Sequence, residues 1–239
     1  MSGYIDLHCH FLPGVDDGVA TADDAVTCLR AAADAGFEAV VLTRHQMAGV
    51  YEVPADEARR GREDLTARMS GDGVGVTLYD GAEHYIDDRF IGRLGDGLET
   101  LAAKTALLVE IPMMMIPPFL RDVAFRLRLK GYAPILAHVE RYREVMESPR
   151  KARALSDMGF LLQVNLGSLT GLYGRRVEKA ARWVLDEELA FCAASDAHGP
   201  SMLAPTYGKG IKELRRYGEN VLSLLLRDNP RRVVLGEAL

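Results

Sequence analysis

Short apolar runs alternate with amphipathic segments along the whole chain. Runs such as Ala39-Val40-Val41-Leu42 lack polar alternation, which is typical of parallel strands that are covered on both faces. Segments with apolar residues at helical spacing separate the runs, and a glycine follows several of these segments. The pattern predicts seven strands, at residues 4–7, 38–43, 74–79, 105–109, 133–137, 160–164 and 189–194.

Helices are predicted between and after these strands. The first is capped by Thr21 and stopped by Gly36, and the others are predicted at residues 54–69, 119–129, 149–158, 175–185, 210–217 and 220–227. No hairpin signal joins consecutive strands, which indicates a parallel sheet of the α/β class. Candidate ligands follow six of the seven strands, and only a closed barrel brings all strand ends to one rim. A (β/α) barrel is therefore favoured over an open sheet.

The composition favours a single domain over residues 1–239. Hydrophobic residues make up 48% of the chain, which is enough to build one large core. No linker, low-complexity run or internal repeat divides the sequence. The formal net charge of -5 argues against a nucleic-acid partner, because binding to a phosphate backbone normally needs a basic surface.

The three cysteines, Cys9, Cys28 and Cys192, form neither a metal-type pair nor a disulfide framework, and they fit a reducing compartment. The N-terminus has no signal-peptide pattern, and no run of about 18 apolar residues could span a bilayer. We expect a cytoplasmic protein without direct membrane insertion. Its oligomeric state is left open.

Two histidines stand at the end of the first apolar run. His8 and His10 are separated by one residue, so in an extended chain their imidazoles point to the same side. A Pro-Gly turn follows, after which Asp16 or Asp17 can return to the same point. This pattern indicates a strand that delivers metal ligands, and the alternative for the tripeptide alone is a partly exposed His-x-His in a loop; the rest of the chain favours the first.

Other imidazoles and carboxylates follow the later strands. The collected candidates are His8, His10, Asp16 or Asp17, His45, Glu83, Glu110, His138, Asp196 and His198. Imidazole and carboxylate donors without thiolates suit manganese, iron or zinc. The set is too large for one ion and matches two or three ions that share bridging carboxylates.

Several segments resemble, in order and over nearly the whole chain, the polymerase and histidinol phosphatase (PHP) superfamily. They are Asp6-Leu7-His8-Cys9-His10, His45 after the second strand, Gly81-Ala82-Glu83, Ala137-His138-Val139-Glu140-Arg141-Tyr142, Gln163-Val164-Asn165 and Ser195-Asp196-Ala197-His198. Residues 12–18 and the His-x-Glu-Arg-Tyr segment resemble, more narrowly, the manganese-dependent protein-tyrosine phosphatases of bacterial capsule and exopolysaccharide loci, the CpsB/YwqE type. The resemblance implies a distorted (β/α)7 TIM-like barrel, the PHP fold, with a three-metal site at its C-terminal rim.

The resemblance also assigns ligands to each ion. The first ion takes His8, His10, Glu83 and Asp196; the second shares Glu83 and adds Glu110 and His138; the third takes Asp17, His45 and His198. Two departures from the family pattern bear on the phosphate pocket and the third site. Arg44 and Gln46 flank His45, and Val139 replaces the usual proline of the His-Pro-Glu-Arg-Tyr segment.

Such metals would acidify a water that attacks phosphorus in line, while the metals and a cationic side chain stabilise the developing charge. Arg141 is the first candidate for that cation, since a guanidinium can bind phosphate at two points, and Arg44 is a weaker second candidate. The competing interpretation of Arg141 is an ion pair with Glu140 or Glu144. The predicted catalytic residues are Arg141, Glu83 and His138.

A thiol mechanism does not fit the sequence. A cysteine phosphatase needs an arginine six positions after its cysteine, where this chain has Val15, Asp34 and His198.

The first functional hypothesis is a metal-dependent phosphatase acting on phosphotyrosine in the tail of a bacterial tyrosine kinase. The second changes the substrate to a small phosphate ester such as histidinol phosphate or a nucleotide, and the third is a catalytically silent metal-binding subunit. The Met-rich segment 113–119 is either buried packing or an apolar wall for an aromatic ring of the substrate.

Overall fold

Seven parallel strands form the centre of the molecule in the computed structural model, which describes residues 2–71, 73–95 and 97–239. They are β1 (Tyr4–Cys9), β2 (Phe37–Gln46), β3 (Thr77–Tyr85), β4 (Ala106–Glu110), β5 (Ala133–Leu136), β6 (Leu161–Asn165) and β7 (Ala190–Ala194). The strands pair in chain order. The chain after β7 returns to β1, where Cys9 bridges to Ala197 and the backbone N–H of Asp196 donates to the His8 carbonyl at 2.8 Å. The predicted seven-stranded barrel is confirmed.

Helices cover the outside of the strands. They are α1 (Ala22–Asp34), α2 (Ala55–Gly71), α3 (Asp88–Gly92), α4 (Leu120–Leu129), α5 (Arg143–Glu147), α6 (Lys151–Asp157), α7 (Arg175–Asp186), α8 (Ile211–Arg215), α9 (Glu219–Ser223) and α10 (Asn229–Leu235). The predicted cap of α1 is confirmed, since Thr21 accepts the Asp24 N–H at 3.1 Å. The five-residue helices α3 and α5 were not predicted, because they are too short to show a helical period.

The C-terminal helices are longer than the sequence predicts. The helical segment predicted at 210–217 begins earlier, with a π-helical turn at Ala204–Gly210. A second π-helical turn at Leu224–Asp228 joins α9 to α10, so the helical run predicted to end at 227 continues to Leu235. Proline tends to break a helix, and Pro230 stands two residues after this π-helical turn, where the backbone hydrogen bonds already depart from the α-helical pattern.

Strands β2 and β3 extend further toward their C-terminal ends than predicted. The two strands stay paired through eight consecutive residues, up to Gln46 and His84. His45 and Glu83 were predicted to follow these strands, but both lie within them. The polar residues that looked like the start of loops are therefore held at fixed positions by backbone pairing.

Alternation along the strands explains why polar side chains meet at one end. An interior cluster fills the barrel with Ile5, Leu7, Ala39, Val41, Ala106, Leu108, Ile135, Ala137 and Cys192, joined by Val233 and Val234 of α10. Toward the C-terminal ends of the strands, the same inward-facing series reaches Thr43 and His45 in β2 and Glu110 in β4. One alternation thus builds an apolar interior and then a polar rim.

The first strand breaks this alternation. Ile5 and Leu7 belong to the interior cluster, so His8 would be expected to face outward. The pairing of β1 with β2 shifts register between Asp6 and Cys9, and this irregularity turns His8 toward the rim. The turn that follows packs closely, because a Cβ atom at Gly18 would lie 2.2 Å from the His10 carbonyl oxygen.

Among the described residues, none of the helices has the length and apolar character that crossing a membrane requires.

Candidate metal centre

Nine imidazole and carboxylate side chains meet at the C-terminal ends of the strands. Their donor atoms form overlapping groups, within each of which the atoms lie within 4.8 Å of one another: His8, His10 and Asp196; His45, Glu83 and Glu110; and His10, Asp17, His45 and His198. His138 joins the second group, since its Nε2 lies 3.0 Å from Glu83 Oε1 and 3.6 Å from Glu110 Oε2. The structure therefore brings together every residue of the predicted ligand set.

Glu83 lies at the middle of the cluster and is fully buried. Its Oε2 is 3.1 Å from His8 Nε2 and 3.2 Å from His45 Nδ1, while its Oε1 faces His138. Burial alone would raise the pKa of Glu83, but His8, His10 and His138 hold it well below its ordinary value. The two oxygens of this ionised carboxylate face different histidines, which is the arrangement that a bridging ligand needs.

The histidines do not offset the repulsion among the buried carboxylates of the cluster. Burial and the neighbouring carboxylates of Glu83 and Asp196 raise the pKa of Glu110 to about 9. The buried Nδ1 of His45 makes no hydrogen bond to any described residue, although Glu83 and Glu110 lie 3.2 Å and 3.6 Å away. Divalent cations would relieve both conditions, so the donor set fits a metal centre.

His45 lies between two of the ligand groups. The family assignment places His45 with Asp17 and His198, and its Nε2 does lie 3.4 Å from Asp17 Oδ1. Its Nδ1, however, faces Glu83 of the neighbouring group at 3.2 Å. His10 is shared in the same way, because it lies 3.4 Å from Glu83 Oε2 and its ring stacks on His198 with centroids 4.1 Å apart.

The two aspartates of the turn have different roles, which the sequence left open. Asp16 is buried against β1 and β2: its Oδ2 accepts from His10 Nδ1 at 2.8 Å and from the His45 backbone N–H at 3.0 Å. These contacts hold the pKa of Asp16 at about 2 against the effect of burial, and they direct His10 Nε2 toward the cluster. Asp17 is half-exposed and lies 3.5 Å from His198 Nε2. Asp17 is thus the candidate ligand, and Asp16 orients His10.

The two oxygens of Asp196 face different surroundings. Oδ1 lies 3.3 Å from His8 Nε2 and 3.6 Å from His10 Nε2, on the side of the cluster. Oδ2 accepts from Asn165 Nδ2 and from Arg141 Nη1, both at 2.7 Å. The second oxygen is therefore saturated by donors, and the first is free to act as a ligand.

Backbone strain accompanies two of the candidate ligands. His138 has φ 35° and ψ 51°, and Asp196 has φ 48°, both in the left-handed region that non-glycine residues rarely adopt. Each residue lies two positions beyond the end of a strand, where the chain turns at the rim. Such strain persists only where the surrounding structure enforces it, and it is common at functional sites.

Buried polar residues outside the predicted site support the histidines. Gln163 Oε1 lies 3.1 Å from His8 Nδ1, and Gln163 Nε2 donates to Asn165 Oδ1 at 2.9 Å. At the base of β1, Asp6 accepts from the Tyr207 hydroxyl at 2.7 Å and from the Ser195 backbone N–H at 3.1 Å. The signal for Gln163 and Asn165 was present in the sequence, because polar residues two positions apart in a buried strand must share the interior face.

Arg141 lies at the edge of the cluster. Its Nη1 donates to Asp196, and its guanidinium lies 4.4 Å from the ring centroid of Tyr173. Burial lowers the pKa of Arg141, but the Asp196 carboxylate outweighs burial and raises it. Glu140 instead accepts from Ser168 and the Asn165 backbone, and Glu144 pairs with Lys151. Arg141 therefore pairs with Asp196, and not with Glu140 or Glu144 as the competing interpretation expected.

The structure does not bring Arg44 to the cluster, so its predicted role in substrate binding is corrected. Arg44 follows the outward-facing Val40 and Leu42 in β2, and it points away from its neighbour His45. Its guanidinium forms a two-point contact with Glu99, at 2.8 and 2.7 Å, and donates three further hydrogen bonds to the carbonyls of Val53 and Gly81. All five of its N–H groups are thereby used within the protein.

The fold and the donor set define a class of protein, a (β/α)7 barrel with a candidate divalent-metal centre at its C-terminal rim. A family model described as capsular polysaccharide synthesis, CpsB/CapC, matches residues 4–235. The chain belongs to this CpsB/CapC family.

Named relatives agree with the family. The chain is 31% identical over 199 residues to the tyrosine-protein phosphatase YwqE of Bacillus subtilis, covering 81% of this chain and 77% of that protein. It is 24% identical to the tyrosine-protein phosphatase CpsB of Streptococcus pneumoniae, covering 98% and 99%. A crystal structure from work on YwqE and CpsB, described as unique metal-dependent tyrosine phosphatases, matches with a TM-score of 0.91 at 27% identity, over 98% of this chain and 96% of that one.

More distant structures share the barrel alone. The phosphotriesterase homology protein of Escherichia coli matches with a TM-score of 0.62 at 13% identity, over 98% of this chain and 99% of that chain. This likeness places the fold among TIM-like barrels and carries no statement about substrate.

We predict that Arg44→Lys lowers stability. The substitution keeps the charge but loses the two-point contact with the partly buried Glu99 and leaves carbonyl acceptors without donors. Equilibrium unfolding in urea should show a loss of about 2 kcal/mol, the order for breaking buried charge-assisted hydrogen bonds. Arg59→Lys on the exposed face of α2 is the matched control. A fall in kcat/KM at full stability would instead restore the role in substrate binding.

Proposed function

We propose that this chain is a metal-dependent protein-tyrosine phosphatase. Its substrate is phosphotyrosine on a protein partner, the tail of a bacterial tyrosine kinase of capsule or exopolysaccharide synthesis. The observation that carries the proposal is the convergence of nine imidazole and carboxylate donors on one rim, beside the guanidinium of Arg141. The names of the relatives, which are tyrosine-protein phosphatases, support the substrate.

Two or three divalent cations, with manganese as the first candidate, are proposed to occupy the centre. His8, His10 and Asp196 would hold one ion, Glu83 would bridge to a second with Glu110 and His138, and Asp17, His45 and His198 would complete a third site. Bound cations supply Lewis acidity, since they lower the pKa of water toward neutrality and offset charge on phosphoryl oxygens.

The protein's own residues position these groups and the substrate. Asp16 keeps His10 in the tautomer that presents Nε2 to the cluster. Arg141 is anchored by Asp196 and by the ring of Tyr173, so its plane is fixed before substrate binds. A fixed guanidinium can offer its remaining N–H groups to two phosphoryl oxygens and so stabilise charge that develops during transfer.

The thiols are poor nucleophiles in this protein. Cys9, Cys28 and Cys192 are all buried and unpaired. Burial raises the pKa of each thiol, to about 12 for Cys28, which keeps the reactive thiolate scarce near neutral pH. This supports a mechanism that does not pass through a covalent phosphocysteine.

Matched phosphotyrosine and phosphoserine peptides test the proposed substrate. We expect kcat/KM for phosphotyrosine to exceed that for phosphoserine by about 10²-fold or more, because phenolate leaves without the general acid that an alkoxide needs. Histidinol phosphate serves as the small-molecule comparison. Equal peptide values, or a preference for histidinol phosphate, would reject the tyrosine-phosphatase proposal and leave only a broader phosphoesterase.

We predict that Glu83→Gln lowers metal content and activity together. Glutamine keeps the shape of the side chain but cannot supply a charged bridge, so we expect kcat to fall by about 10²-fold or more and at least one ion per chain to be lost. Metal analysis by mass spectrometry on the same sample checks this, with exposed Glu63→Gln as the control. Chelation should abolish wild-type activity, manganese should restore it, and thiol alkylation should leave it intact. Normal rate and metal content in Glu83→Gln would contradict the bridging role.

We predict that Arg141→Lys impairs catalysis without loss of metal. Lysine keeps the positive charge but has no planar fork, so kcat should fall by about 10²-fold, the order for losing one preorganised donor. Steady-state kinetics with an aryl phosphate measures the rate, and metal analysis and thermal unfolding verify that the centre and fold persist. Exposed Arg150→Lys is the control. A wild-type kcat for Arg141→Lys would remove Arg141 from the mechanism.

A further inference from the structure

A groove opens beside Arg141. Its volume is about 640 Å³, and its walls are formed by α5, the start of α7 and the loop after β4. Arg141 lines this groove and donates to Asp196 of the candidate metal centre, and Tyr173, whose ring lies under the Arg141 guanidinium, also lines the groove. The groove is thus continuous with the place where a phosphoryl group is proposed to bind.

The groove is positively charged in a protein of formal charge -5. Three arginines and one glutamate line it, and Arg143 pairs with Glu147 at 2.8 Å while Arg141 pairs with Asp196. Within residues 2–71, 73–95 and 97–239, Arg176 has no ion-pair partner. An exposed cation without a partner is available to a ligand of opposite charge.

The position of Arg176 adds to this potential. It stands in the first turn of α7, where the one acidic residue, Glu178, pairs with Arg182. A helix N-terminus carries partial positive charge, so a cation there is locally unfavourable and an anion is favoured. Arg176 and the N-terminus of α7 therefore both attract an anionic ligand.

The opposite wall is apolar and adaptable. Met113 and Met146 are partly buried, whereas Met114 is 64% exposed. Methionine is flexible and polarisable, and exposed methionines suit surfaces that receive varied side chains. Of the two alternatives for the Met-rich segment 113–119, buried packing therefore holds only in part, because Met114 is exposed.

We propose that this groove binds the peptide segment that flanks the phosphotyrosine and selects segments with an acidic side chain. The inference rests on the proposed phosphatase function and names the chemistry of its substrate. The phosphoryl group would lie beyond Arg141, a flanking carboxylate would pair with Arg176, and the neighbouring side chain would pack on Met114. An acidic segment complements the groove in charge, whereas a basic one would be repelled by it.

Three phosphotyrosine peptides that differ only in flanking Glu, Ala or Lys residues test the charge selection. For the wild-type holoenzyme, kcat/KM should be about tenfold higher for the Glu peptide than for the Lys peptide, and the ratio should shrink at high ionic strength. Arg176→Glu should remove or invert this ratio. Arg175→Glu, the exposed neighbour that does not line the groove, should keep it.

The apolar wall has its own pair of variants. Met114→Ser should raise KM for the peptides about threefold relative to KM for an aryl phosphate, with peptide kcat retained. Met115→Ser is the control, because Met115 is similarly exposed at 59% but lies outside the groove. Equal effects of the two variants would remove the apolar wall from the proposal.

The outcomes separate the groove from the phosphatase function. Hydrolysis of all three phosphotyrosine peptides at equal kcat/KM would overturn the groove and leave the phosphatase function standing. Equal effects of Arg176→Glu and Arg175→Glu would also overturn it, because a general field would then explain the charge preference. Turnover of aryl phosphate alone, with none of the peptides hydrolysed, would overturn both proposals.

Discussion

The burial of Glu83 among imidazoles is the interaction on which the rim of this barrel depends. An ionised carboxylate without solvent is costly unless opposite charge or donors surround it, and His8, His45 and His138 lie about its two oxygens. Burial beside Glu83 and Asp196 raises the pKa of Glu110 to about 9, so the cluster does not ionise all of its carboxylates near neutral pH. Divalent cations would offset this repulsion, which is why the donor set fits a metal centre.

The supporting residues follow from that requirement. A histidine that presents one nitrogen to the cluster is held in that orientation when its other nitrogen has a fixed partner. Asp16 provides one for His10, and Gln163 provides one for His8. Asn165 and Arg141 occupy the outer oxygen of Asp196 in the same way. The apolar interior below holds these strands in register, which allows strained turns to persist at the rim.

Much of the architecture could be predicted because buried parallel strands leave continuous apolar runs, and donors at their ends imply a common rim. The ends of β2 and β3 could not be placed, because His45 and Glu83 resemble loop residues until their backbone pairing is known. Arg44 could have been excluded by alternation alone, since it precedes the inward-facing His45. The choice between Asp16 and Asp17, and the contact of Arg141 with Tyr173, depend on tertiary packing that no local pattern encodes.

The closure of the barrel has a consequence for synthesis of the protein. The Ser195 hydroxyl donates to the His8 carbonyl across 187 positions of sequence, and Asp196 and His198 arrive with the same turn. During translation the histidines of β1 emerge long before Asp196 and His198. Contacts of such sequence separation form late in folding. Any ion held by the whole candidate cluster would therefore bind only after the turn that follows β7 has closed against β1.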